Sequence, residues 1–360
     1  MVCGFAGLYC TNYLRDKCSV SCFVVFDEKN MIADILLVVV SCVLFLFLET
    51  VGLANVACFK DLKSKFLIHS KCLIVLFCLS VVLCFCGNIV SLVGLMIFNI
   101  VMLLLAGNCD VRYIIKKYVV FHLFAILLLW FGIRDTDVVD SAMVVLGIGT
   151  LLASYPINGW METFCLRAPF SLLIFWELIN RSYIVAFALN IFKLDGFQWT
   201  DGSRIVANIL IYCSLFFVPI LFFAKRSVRR IASVLLTWQS GCFWLFCINI
   251  SDPKYHHAIL LMSIVQSIFL AMILCGVSRA MRLQSSDDIS CIKNLQQKDF
   301  LGCSLLMSGL LFLPIIPLVF LGKSGMPVFS NMTIAIMIIS AVLPYLFNYR
   351  LYKMISDDKI

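Results

Sequence analysis

Apolar stretches of about 20 residues recur along nearly all of this 360-residue chain, and about 20 is what an α-helix needs to cross a hydrocarbon core of roughly 30 Å. Lipid offers no water to bond an open backbone, so only helices and closed barrels span a bilayer. Barrel strands alternate polar and apolar side chains over short segments, whereas the runs here are continuously apolar. The chain is 62% hydrophobic and 13% charged, with a mean hydropathy of +1.04. That is more apolar material than one globular core can bury. The expected fold is an all-α polytopic membrane bundle.

Eleven spans are read, at 33–57, 72–87, 89–107, 113–133, 141–158, 168–192, 205–224, 231–250, 256–278, 301–321 and 328–349, with the weakest break at Gly87-Asn88. Residues 1–32 contain Arg15, Asp16, Lys17, Asp27, Glu28 and Lys29 without a long apolar core. They read as an extramembrane segment rather than a signal peptide. Residues 33–354 form one transmembrane domain, and 355–360 a short tail.

The net charge of +8 suggests nucleic acid only until its distribution is considered. With successive loops on opposite sides, one side gathers most of the 28 Lys and Arg. These include Lys60, Lys63, Lys65 and Lys71, then Arg112, Lys116 and Lys117, then Lys225, Arg226, Arg229 and Arg230, then Arg350 and Lys353. The positive-inside rule then places the amino terminus outside and the carboxyl terminus inside. The excess is a topology signal, with a lipid-phosphate patch at 225–230 as the other reading. No nucleic-acid partner is expected.

Most of the 18 cysteines lie singly within spans, where a thiol behaves as a small apolar group. No metal-ligand spacing emerges. Cys3, Cys10, Cys18 and Cys22 cluster on the outer side, where disulfides are permitted. There is neither a P-loop nor a dinucleotide fingerprint, which disfavours nucleotide chemistry within this chain.

Helix breakers carry more information. Pro156 and Gly159 interrupt one span before Trp160, Pro169 opens the next, and Pro314 and Pro317 sit deep in the tenth. Proline removes a backbone donor that lipid cannot replace, so such breaks persist where protein or water covers them. Transporter folds use interrupted helices in this way, and an ordinary proline kink is the structural alternative.

Charges within the hydrocarbon are costly and each needs a reason. Glu177 and Arg181 are four residues apart on one helix face, placed either to neutralise each other or to form a step in a proton path. Glu49 lies within a span or at its edge, and His122 falls mid-span where it can titrate or bond a neighbouring helix. Gln239, Gln266, Asn180 and Asn208 add interhelical hydrogen-bonding capacity.

In this setting Pro156-Ile157-Asn158-Gly159-Trp160 followed by Ala168-Pro169 resembles the broken helix of the antiporter-like membrane subunits of respiratory complex I. The closest likeness is to subunit N, the counterpart of mitochondrial subunit two. Asn158 stands where that family has a histidine, and Arg181 where it has a buried lysine. Val228-Arg229-Arg230-Ile231-Ala232-Ser233, with Gln239 and Gly241 beyond it, is similar to the basic turn opening the family's following helix. Phe320-Leu321-Gly322-Lys323, Asn348-Tyr349-Arg350-Leu351-Tyr352-Lys353-Met354 and Lys116-Lys117-Tyr118 keep the family's order. The family has more spans than are read here, and in the direct alignment Met96 or Ile97 stands where it has a buried glutamate, so either a different register holds or the carboxylate is lost. Glu49 lies in a similar run but too early. The resemblance is therefore to a divergent, shortened member.

The resemblance implies a membrane subunit of a proton-translocating NADH:quinone oxidoreductase, in a bacterial or mitochondrial inner membrane. Glu177 and Arg181 would form the central ionisable pair and Lys323 the next charge, with Glu49 and His122 as further candidates on the path. NADH, FMN, iron–sulfur centres and quinone would belong to partner subunits, and none to this chain. The same fold serves Mrp-type cation/proton antiporter subunits, which is the first alternative. A non-conducting structural subunit is the second. An unrelated transporter or lipid-modifying enzyme would need a cluster in the outward loops, which the sequence lacks.

Overall fold

Helices cross lipid where apolar runs are unbroken and end where charge, glycine or proline intervenes. The computed structural model describes residues 89–105, 111–133, 139–168, 170–194, 196–217, 220, 227–249, 256–284 and 299–323. Within them every regular element is a helix: α1 (Ile89–Leu105), α2 (Val111–Gly132), α3 (Ser141–Leu151) and α4 (Gly159–Arg167) come first. Then α5 starts as Phe170–Phe175, passes through a π-helical turn at Trp176–Arg181 and continues as Ser182–Ile191. α6 (Asp201–Tyr212) runs into a π-helical turn at Cys213–Phe217. α7 (Val228–Asn249), α8 (His256–Gln284), α9 (Phe300–Phe312) and α10 (Ile315–Lys323) follow. Arg112–Gly132, Leu172–Ile191, Arg229–Asn249 and Ala258–Met281 are each long and apolar enough to cross a membrane. The chain is an integral membrane protein with an all-α fold. The spans expected at 33–57, 72–87 and 328–349, with Glu49 and the cysteine cluster at 3–22, lie outside the described residues.

The structure corrects the boundaries expected around Pro156. A span at 141–158 with a loop to 168 is not what forms. α3 is only 11 residues, about 16 Å, too short to cross. α4 continues in the same direction, and both lie antiparallel to α2. Gly147 packs beside Leu129 and Ala125, Gly159 beside Phe121, and Thr163 receives a 3.2 Å hydrogen bond from Lys117. Residues 141–167 are thus one interrupted crossing with its break at mid-depth.

Local chemistry sets the ends of these pieces. The Asp140 carboxylate accepts from the Ala142 and Met143 amides and caps α3, and Thr200 caps α6 through the Ser203 amide. α3 ends in a Schellman arrangement, with Ser154 N donating to Gly149 O and Ala153 N to Thr150 O. Ala153 takes the left-handed position (φ 56°) where glycine is usual. The expected break at Pro314 is present between α9 and α10. Pro317 lies in the first turn of α10, where a missing N–H has no intrahelical acceptor to lose.

The helix ends sort into two groups. Lys117 reaches Thr163, Arg167 lies over the Tyr113 ring and Arg230 pairs with Glu162, so the starts of α2 and α7 share one end with the finish of α4. At the other end Ser141 meets Thr200 at 3.0 Å. This is the alternation expected from the loop charges. Val120, Leu123, Phe124, Leu127, Trp130 and Phe131 form an exposed apolar stripe along α2, the lipid-facing pattern of an outer helix.

α8 packs along α9, α7 and α5. Its contact with α9 depends on Gly309, where a Cβ would come within 2.6 Å of Ile273 Cγ1 and 2.7 Å of the Phe269 carbonyl oxygen. Small residues permit such close backbone approach in membranes. Gly309→Ala is expected to force α8 and α9 apart and destabilise the purified protein by about 1–3 kcal/mol. Thermal unfolding in detergent measures this, and an unchanged midpoint would contradict the packing.

Candidate functional site

An interrupted helix leaves donors and acceptors that must find partners inside the protein. At the α3–α4 break the partners come from α7 and α6. Asn158 Nδ2 donates to Thr237 Oγ1 at 3.1 Å, Ser240 Oγ to the Leu152 carbonyl at 2.5 Å, and Trp244 Nε1 to Ser154 Oγ at 3.0 Å. Thr237, Ser240 and Trp244 follow i, i+3, i+7 spacing, a single face of α7. From α6, Ser214 Oγ accepts from the Tyr155 amide at 3.0 Å. Trp160 closes the gap by donating from Nε1 to the Thr150 carbonyl at 3.0 Å. Pro156, with no N–H to satisfy, is the exposed residue of the loop.

The same ladder on α7 holds the ionisable pair. Arg181 donates to the Leu236 carbonyl at 3.2 Å and to Ser240 Oγ at 3.1 Å. Ser240 therefore joins the guanidinium to the carbonyl at the end of α3. Arg181 Nε lies 3.7 Å from Glu177 Oε1, with the side chains 1% and 0% exposed. Both sit in the π-helical turn of α5, an i→i+5 distortion frequent at functional sites. Neither Glu177 oxygen nor Arg181 Nε has a hydrogen-bond partner among the described residues. Ser267 and Gln239 approach the carboxyl group without reaching hydrogen-bond geometry.

Around the pair the α5–α7–α8 interface is polar. Gln239 Nε2 donates to Ser267 Oγ at 3.1 Å. Asn180, the Gln239 carbonyl, Ser263 Oγ and Gln266 are buried with hydrogen-bonding atoms unmatched among the described residues. A buried amide without partners costs roughly 1–3 kcal/mol on mutational scales, so a seam with this many carries a substantial strain unless it binds water or exchanges protons.

His122 is placed elsewhere. Its Nδ1 donates to the Tyr118 carbonyl at 2.9 Å, since a carbonyl can only accept. The ring stacks on Tyr118 at 3.8 Å and meets Trp160 edge-on at 4.7 Å. Trp160 in turn lies 5.4 Å from Trp176, so aromatic rings separate His122 from Glu177. Asn99 extends the cluster with a 3.0 Å bond to Tyr118 Oη. Lys323 is the last residue of α10, and Glu49 and Pro169 lie outside the described residues.

Arg229 has a role that the sequence motif does not disclose. It donates to the carbonyls of Cys165, Leu166 and Ala168 at 3.1, 3.3 and 2.7 Å and lies 4.4 Å above the Phe170 ring. It caps the end of α4 at the step into α5, where a cation suits the helix dipole. A cation is unfavourable at the start of its own helix, and that mismatch is the sequence signal. Thr237 and Ser240 were likewise unmarked, because single hydroxyls are common in membrane helices.

No protein-family model matches the chain. No curated protein matches it. Solved structures share its fold, among them chains of two membrane complexes. A chain of the membrane-bound sulfane sulfur reductase, an archaeal respiratory membrane complex, superposes with a TM-score of 0.57 at 14% identity, covering 78% of this chain and 65% of its own. A chain of the Mrp complex from Dietzia sp. DQ12-45-1b gives 0.50 at 13% identity, covering 77% and 60%. The chain spans less than two thirds of the length of each. The likeness is one of fold, to chains of two membrane complexes.

Removing one member of a buried pair leaves the other uncompensated, at about 3–5 kcal/mol. Arg181→Leu is therefore expected to lower stability by that order, and the double change Glu177→Leu with Arg181→Leu to recover most of it. Unfolding midpoints of the single and double variants test the pairing, which a merely additive double variant would refute.

Proposed function

We propose that this chain is a membrane subunit of a proton-translocating NADH:quinone oxidoreductase and contributes to proton transfer across an energy-transducing inner membrane. The observation that carries the reading is Glu177. It is a fully buried carboxyl group beside a cation, in a π-helical turn, facing a seam of unmatched amides and hydroxyls next to an interrupted helix. Arginine is effectively always charged. Arg181 therefore serves as the fixed countercharge, and Glu177 is the group that takes up and releases the proton. Water in the seam would connect it through Gln239, Ser267, Asn180 and Gln266. Ser240 transmits the position of Arg181 to the α3–α4 break, which makes that break the element whose rearrangement changes the pair.

Redox chemistry would reside in partner subunits holding NADH, FMN, iron–sulfur centres and quinone, with proton movement here coupled through the membrane helices. The loop charges orient the chain with its amino terminus outside and the start of α7 inside. A specific observation favours a second reading, a subunit of a multicomponent Na+/H+ antiporter. One of the structural likenesses is to an Mrp complex, and the pair is equally suited to either coupling.

Glu177→Gln keeps size and hydrogen-bonding capacity while removing the exchangeable proton. The rate of proton transfer through this subunit in the assembled complex is expected to fall by about 10²-fold or more, the scale of losing a positioned acid–base group, with assembly intact. Pumping equal to wild type in an intact complex would leave only a structural role.

A further inference from the structure

Helix α6 differs from the lipid-facing α2 in what its outer face displays. Ser203, Ala207, Leu210 and Ile211 are buried in the packing against α3 and α7. Opposite them Ile205, Ile209, Tyr212 and Phe216 are exposed, and the Tyr212 and Phe216 rings stack at 6.2 Å. Along α2 the exposed stripe from Val120 to Phe131 is wholly apolar. On α6 the exposed face also holds Arg204 and Asn208, one turn apart. Neither makes a side-chain hydrogen bond or ion pair to a described residue.

Asn208 lies two turns into the helix from Asp201, about 10 Å along the axis, and its amide is flanked by Ile205, Ile209 and Tyr212. An amide turned towards hydrocarbon without partners is disfavoured, and in membranes such groups bond across to a neighbouring helix. Arg204, nearer the helix start, can extend its charge to the membrane edge. The outer face therefore has an apolar surface for packing, an aromatic pair and a polar point within it, as an interhelical contact requires.

We infer that the outer face of α6, centred on Asn208, docks a membrane-spanning helix of another subunit. That helix presents a hydrogen-bonding side chain to Asn208 and an acidic one to Arg204 at the membrane edge. The inference rests on the reading of this chain as a subunit of a membrane complex and adds where the neighbour sits.

The test uses the tagged full-length protein in its native membrane, with a photo-crosslinking residue at position 209, exposed beside Asn208, and, as the lipid-facing control, at position 127. The expected result is a covalent adduct from 209 to one chain that also co-purifies at fixed stoichiometry, identified by mass spectrometry, with no protein adduct from 127. Asn208→Leu should lower co-purification of that chain several-fold without reducing the yield of this protein, and Asn208→Gln should restore part of it. Adducts only to lipid, to a second copy or to this chain's own helices would overturn the inference, as would full co-purification with Asn208→Leu. Loss of the docking face alone leaves other membrane subunits co-purifying with the wild-type protein. Their absence as well removes the subunit reading itself.

Discussion

The absence of any hydrogen-bonding solvent at the centre of a bilayer is the constraint on which this structure depends. Interrupting a helix there exposes donors and acceptors that lipid cannot satisfy, so the α3–α4 break exists only because α7 supplies Thr237, Ser240 and Trp244 on one face. Those residues do not merely cover the break. Ser240 also receives Arg181, so the irregular backbone and the buried charge share a single side chain. A change in either alters the geometry of the other. Arg229 works in the same way at the end of α4, where it gathers three carbonyls at the entrance to α5.

Two polar systems flank the break, and they are chemically distinct. On the α2 side, Asn99, Tyr118 and His122 are joined by short bonds and enclosed by Trp160 and Phe164. On the α5–α7–α8 side the amides and hydroxyls are numerous and incompletely matched. On the α2 side the Asn99 side-chain oxygen lacks a partner among the described residues, whereas the seam holds several such atoms, and the more unmatched atoms a network has the more readily it accommodates water and shifting protons. This difference in degree is the reason the proposed transfer is placed in the second system rather than the first.

Much of the architecture was legible because lipid imposes simple rules on sequence. Apolar run lengths located α1, α2, α5, α7 and α8, and the sidedness of Arg112, Lys116 and Arg230 foretold which helix ends share an end of the bundle. Prolines marked both broken crossings. The extent of the α3–α4 crossing was not legible, since a short apolar helix followed by Pro156 resembles a span and a loop until α2 shows both halves lying against it. Glu177 and Arg181 stood out by charge alone. Ser240, Thr237 and Arg229 did not, because their importance comes from partners more than fifty residues away, and the aromatic enclosure of His122 was not legible for the same reason.

The central claim is that the seam beside Glu177 is hydrated and carries protons. An experimental density map of the assembled complex, at a resolution that shows ordered water, tests it most directly. Waters bridging Glu177 to Asn180, Gln239 and Gln266 and continuing towards both ends of the bundle are the predicted result. A dry, tightly closed interface between α5, α7 and α8, with Glu177 satisfied by protein groups alone, would contradict it.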